Sequence, residues 1–293
     1  MKIGDSDLFF LRKKKNSKNR SLSLFLTIFL AGMTAFLIWP ALLFADTIQP
    51  VSGTLTTPDN IEISYDYYKS GFDSVVIVCP GFFNSKSNRW MCKTVSMLTS
   101  DFDVIIFDFR GHGSSGGKYT WGAKEKADVD TVANYAVSLG YKKIGILAYS
   151  LGASAAINDA AARDDIRSMV IISCPSRFSS IDCHFWEWGM WLDLKDNIDS
   201  KWHGKGARTE NIFLKKEDPI DTIGSIKDTS MLFISGDRDW IVKPRHSVKL
   251  YDAAKVYKKI EIIKDGFHAE RLIQFHYKEM KELILGWFSK TLK

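Results

Sequence analysis

The chain has 293 residues, 45% hydrophobic and 25% charged, ordinary globular values that exclude a fibre, a disordered chain or a multi-span membrane protein. One large α/β domain behind a leader fits this length. The formal charge of +6 is concentrated at one end: residues 1–20 hold seven of the 40 Lys and Arg against Asp5 and Asp7, leaving 33 basic and 32 acidic side chains beyond them. A nucleic-acid binder carries its basic stripe on the folded domain, so no nucleic-acid partner is expected.

The basic tail precedes an uncharged run over residues 21–45. At ~1.5 Å per residue such a run reaches the ~30 Å needed to cross a hydrocarbon core. No Lys or Arg follows until Lys69, which predicts the amino terminus inside and the rest outside the cytoplasm. Two outcomes remain open, a retained membrane anchor or a signal sequence cut after Ala45. The length of the run favours the anchor, and Leu43 suits a cleavage site poorly.

Beyond the leader, residues 50–293 read as one domain. Residues 51–56 and 61–68 alternate as a half-exposed hairpin. Short, wholly apolar runs follow at 75–79, 104–107, 144–148, 169–173, 231–234 and 260–263, a pattern of strands buried on both faces of a parallel sheet. Helix-like segments lie between and after them at 87–98, 124–138, 153–162, 247–254 and 273–290, so the chain predicts βαβ crossovers and a doubly wound sheet. Residues 177–226 break the rhythm. No clear strand appears there, Trp and Phe are dense from Phe178 to Phe213, and so long a loop predicts a small helical insertion. Its aromatics line a ligand pocket or form the insertion's own core, two readings that the sequence leaves equal.

The four cysteines, Cys79, Cys92, Cys174 and Cys183, form no CxxC pair and offer no zinc spacing. Cys79 lies in an apolar strand and reads as core; a Cys174–Cys183 bridge is compatible with an extracytoplasmic location. No metal and no organic cofactor is implied.

The chemistry centres on Ile144-Gly145-Ile146-Leu147-Ala148-Tyr149-Ser150-Leu151-Gly152-Ala153, a strand, a sharp turn and an Ala-rich helix. A nucleophile elbow needs this context, with small residues flanking the serine because strand and helix backbones pass close together. Ala148 stands where Gly is usual, giving A-x-S-x-G. With Pro80-Gly81-Phe82, Asp108-Phe109-Arg110-Gly111-His112-Gly113-Ser114-Ser115, Gly236-Asp237-Arg238-Asp239 and Gly266-Phe267-His268, the domain resembles the α/β-hydrolase superfamily. It looks nearest to the serine-aminopeptidase-like (S33-type) and monoacylglycerol-lipase-like members. These motifs are specific to the superfamily and not to a substrate.

The order Ser150, Asp239, His268 follows the family sequence of nucleophile, acid and base. Asp239 matches the family's acid, with Asp237 as the competing carboxylate. The resemblance further implies an oxyanion hole from the backbone N–H groups of Phe82 and Leu151, and structural turn roles for Asp108, Arg110 and His112. The expected partner is a small-molecule ester or amide. A carboxylester or lipid-ester hydrolase leads; a peptidase, with Glu187 or Asp193 holding a substrate amino terminus, and a non-catalytic binding protein of the same fold are the alternatives. Oligomeric state is not legible.

Overall fold

The structure is a computed structural model that describes residues 48–182 and 207–292. The leader over residues 1–47 lies outside the described residues, and so does the middle of the insertion with Cys183, Glu187, Asp193 and all four of its tryptophans. Among the described residues no helix is long and apolar enough to cross a membrane.

In chain order the elements are β1 (Val51–Thr56), β2 (Glu62–Tyr68), β3 (Ser74–Cys79), α1 (Arg89–Leu98), β4 (Asp103–Phe107), α2 (Lys126–Ser138), β5 (Lys143–Tyr149), α3 (Ser150–Ala160) and β6 (Ile166–Ile172). After the insertion come a short α4 (Pro219–Thr222), β7 (Ser230–Gly236), α5 (Arg245–Ala253), β8 (Lys258–Ile263), α6 (Glu270–Phe275) and α7 (Tyr277–Thr291). The eight strands form one sheet in the order β1-β2-β4-β3-β5-β6-β7-β8. β2 runs antiparallel to β1 and β4, and every other pair is parallel. The central strands are apolar throughout because helices cover both sides: Val75 and Ile77 face α2 and α3, while Val76 and Val78 face α1, α6 and α7.

The structure departs from the sequence pattern in three places. The edge strand β8 is only partly covered: Ile263 is buried and Ile260 half-buried, while Ile262 is 42% exposed. The final helix is two helices, interrupted at His276 (φ −122°, ψ 33°). α3 begins at Ser150, three residues before the Ala-rich stretch suggests. The described parts of the insertion hold two single 3₁₀ turns, Phe178–Ser180 and Ile223–Ser225, besides α4. Cys79, Cys92 and Cys174 are free thiols; burial pushes the Cys79 thiol far up and Cys174 to about 12, so both are inert core groups.

Candidate active site

The parallel strands β3, β5, β6, β7 and β8 point their carboxyl ends to one edge, and the loops leaving that edge carry the expected residues. At the end of β5, Tyr149 is extended (φ −117°, ψ 132°) and Ser150 turns abruptly to φ +48° before α3 continues. A non-Gly residue at positive φ is uncommon and is sustained only where its surroundings fix it. Here Tyr149 is buried on one side with its hydroxyl 2.8 Å from Thr94 Oγ1. On the other side Gly152 lies so near the end of β3 that a Cβ there would collide with the Pro80 carbonyl oxygen. The small residue two positions after the serine is therefore a close-approach requirement.

Asp239 and His268 arrive on two loops that touch through glycine. A Cβ at Gly236 would collide with the Gly266 backbone, and Arg238 N–H donates to Gly266 O at 2.9 Å. This brings His268 between its two partners. Its Nδ1 lies 3.0 and 2.9 Å from the Asp239 carboxylate oxygens, and its Nε2 lies 2.9 Å from Ser150 Oγ. A carboxylate can only accept, so Nδ1 carries the proton and Nε2 presents its lone pair to the serine hydroxyl. Asp239 is buried, and its Oδ1 also accepts the N–H groups of Ile241 (3.1 Å) and Val242 (2.8 Å). Asp237 is exposed, and only its backbone is engaged, with Ile263 O at 3.0 Å. Of the two carboxylates the sequence leaves in competition, Asp239 alone meets the imidazole.

Phe82 and Leu151 also converge on this edge. Leu151 lies in the first turn of α3, where N–H groups lack intrahelical acceptors. Gly81 places its loop against the elbow: a Cβ there would be 3.4 Å from Ser150 Cβ. The Phe82 ring stacks on Tyr119 (centroids 5.1 Å) and meets Trp121 (4.5 Å), which in turn meets Phe178 of the insertion (6.2 Å). Phe178 of the insertion thus joins a cluster beside Ser150; Phe213 is 89% exposed.

His112 supports this loop and has no place at the serine. Its Nδ1 lies 3.2 Å from Arg110 O, and its Nε2 accepts the Phe83 N–H at 3.2 Å, with Phe83 at φ +63°. Burial lowers its pKa to about 4, so it stays a neutral acceptor. Arg110 spans from Asp59 to the buried Asp128, and the buried Asp108 holds the N–H groups of Lys86 and Ser114. Sequence reasoning missed Ser173, whose Oγ accepts the Ala269 N–H at 3.1 Å and so fixes the backbone beside His268. Nothing in its local pattern marks it.

Comparison with known proteins agrees with this architecture. A model of the alpha/beta hydrolase fold family matches residues 74–184. YfhR, an uncharacterized protein of Escherichia coli strain K12, is 23% identical over 225 residues, 75% of this chain and 71% of that protein. The Pyrococcus furiosus esterase Pf2001 superposes with a TM-score of 0.68 at 25% identity, over 84% of this chain and 94% of that one. A bromoperoxidase from Bacillus anthracis shares the fold at 15% identity and TM-score 0.64, over 82% and 100%, so the fold alone does not select the reaction. With its sheet order, elbow and these neighbours, the chain is an enzyme of the α/β-hydrolase superfamily.

Proposed function

We propose that the protein is a serine hydrolase of carboxylic esters, with Ser150 as nucleophile, His268 as general base and acid, and Asp239 as the residue that orients and charges the imidazole. The supporting observation is the continuous hydrogen-bonded line from the Asp239 carboxylate through His268 to Ser150 Oγ, each link 2.9–3.0 Å. As Oγ attacks an ester carbonyl, its proton passes to His268 Nε2, and the buried Asp239 stabilises the resulting imidazolium. The carbonyl oxygen becomes an oxyanion facing the N–H groups of Phe82 and Leu151, each such donor contributing ~3 kcal/mol to lowering the barrier. His268 returns the proton to the leaving alkoxide, giving an acyl-enzyme and an alcohol. Water then attacks the acyl carbon by the same proton path and releases the acid and free Ser150.

The choice of ester over amide is supported by the likeness to the Pyrococcus furiosus esterase, and the aromatics around Phe82 suit an apolar acyl group. Labelling by a fluorophosphonate probe that disappears in Ser150→Ala is the expected result. Folded protein that resists the probe overturns Ser150 as the nucleophile. Rates on short and long acyl p-nitrophenyl esters against aminoacyl amides check the substrate class, and faster amide turnover reverses it in favour of a peptidase.

We also propose that the domain works outside the cytoplasm, tethered by residues 21–45, a reading supported by the basic residues before that run and the absence of Lys and Arg after it until Lys69. The mass of the membrane-fraction protein checks it: a full-length chain supports the tether, and a chain starting after Ala45 replaces it with secretion.

A further inference from the structure

Asp182 ends the entry leg of the insertion. Its N–H donates to Ile241 O at 2.9 Å. Its nearly buried carboxylate accepts the Lys243 N–H at 3.1 Å, meets His246 Nε2 at 3.1 Å and pairs with Arg245. All four partners lie within residues 241–246, the stretch that supports the acid. The peptide joining Ile241 to Val242 offers its C=O to Asp182 N–H and its N–H to Asp239 Oδ1 at 2.8 Å. Rotating that plane breaks both bonds at once.

His246 fixes the other end of the arrangement. It is fully buried, and its Nδ1 lies 3.1 Å from Ser176 N and 2.9 Å from Ser176 Oγ. A backbone N–H can only donate, so Nδ1 accepts and Nε2–H points at Asp182. Burial holds the His246 pKa below the ordinary imidazole value. Burial opposes charge on Asp182 as well, yet the Lys243 N–H, Arg245 and His246 together keep its carboxyl below the usual range.

We infer that Asp182 is a positioning residue: its carboxylate, on the Lys243 N–H, Arg245 and His246, steadies the 241–246 stretch that its own backbone N–H joins at Ile241 O, and so keeps the Val242 N–H on the Asp239 carboxylate and ties the insertion's entry leg to the acid. The inference rests on the serine-hydrolase reading, in which Asp239 stabilises the His268 imidazolium. Loosening the 241–246 stretch lets the carboxylate turn from Nδ1. A less stabilised imidazolium loses its proton more easily, so the acid limb of the rate profile moves to lower pH.

The experiment measures p-nitrophenyl acetate hydrolysis by the full-length protein from pH 5 to 9, with fluorophosphonate labelling in parallel. For Asp182→Ala the expected result is kcat reduced ~10-fold or more, KM within ~2-fold, and an acid limb moved down by ~0.5 pH unit. Asp182→Asn keeps the side-chain volume, guards against a folding defect, and shifts the limb in the same direction by less. His246→Gln, whose amide nitrogen takes the Nε2 position and can still donate to Asp182, keeps the wild-type limb. Arg177→Ala, which breaks the insertion's pairs with Asp218 and Asp221, leaves the limb unmoved. Folded Asp182 variants with the wild-type limb, whatever their kcat, overturn the inference alone. A wild type that neither labels nor turns over overturns the serine-hydrolase reading with it.

Discussion

Two Ser–His–Asp groupings lie near the same edge of the sheet, and the proposed chemistry calls on features that differ between them. In Ser150–His268–Asp239 and in Ser176–His246–Asp182 an imidazole bridges a hydroxyl and a carboxylate within 3.1 Å. The imidazole is reversed between them: Nδ1 faces the acid in the first and the serine in the second. Ser150 stands at φ +48° at a helix start, next to the Gly81 loop and the first-turn N–H of Leu151. Ser176 is buried, its O accepting the Ile220 N–H, and its own N–H occupies the Nδ1 lone pair that a nucleophile's proton would need. His246 is fully buried, whereas His268 retains 9% exposure. Residue types therefore do not distinguish the two groupings; the backbone at the serine, the N–H already seated on the His246 Nδ1 lone pair and the exposure of the imidazole do.

The sharpest way to break this comparison is to exchange the serines for alanine. Ser150→Ala is expected to abolish probe labelling and lower kcat by ~10⁴-fold or more, while Ser176→Ala keeps labelling and retains kcat within ~10-fold; active-site titration reads both. Asp239→Asn should lower kcat by ~10⁴-fold through loss of the correct tautomer, against less than ~3-fold for the exposed Asp237→Asn, as steady-state kinetics on one ester will show.

A third imidazole, His112, sharpens the contrast through pH. It is neutral in the fold with its pKa held at about 4 by burial, and an unfolded chain takes up a proton near pH 6.5. Stability is thus fully present above pH ~6.5 and falls by up to ~3 kcal/mol as the pH drops to ~4. Asp59 has the opposite titration partner: hydrogen bonds from Arg110 hold it at about 2, so its smaller contribution, screened by solvent at a partly exposed side chain, is lost only between pH ~4 and ~2. Urea titrations at pH 7 and 4.5 measure the first loss, and His112→Gln flattens it. The smallest effect belongs to the elbow's close approach. Gly152→Ala drives a methyl into the Pro80 carbonyl and should destabilise the domain by ~1–3 kcal/mol, a fall of roughly 2–10 °C in Tm by calorimetry.

Much of this site was legible along the chain. The strand-turn-helix around Ser150 and the chain order of serine, aspartate and histidine mark it, because each depends on residues close in sequence. Asp239 and Asp237 are two residues apart and differ only in which side of a turn they face, which the Gly236–Gly266 approach decides. Asp182 and His246 are 64 residues apart, and no local pattern announces their meeting. The break at His276 and the exposure of Ile262 likewise depend on what packs against them.

By itself the sequence determined the strands, the helices and the elbow, since burial on both faces of a sheet demands unbroken apolar runs and a tight turn demands small residues. The tertiary structure alone decided which carboxylate meets the imidazole, which serine stands free beside one, and which loops brace them. Those choices rest on hydrogen bonds a few ångströms long between segments far apart in the chain, and local periodicity carries no information about such distances.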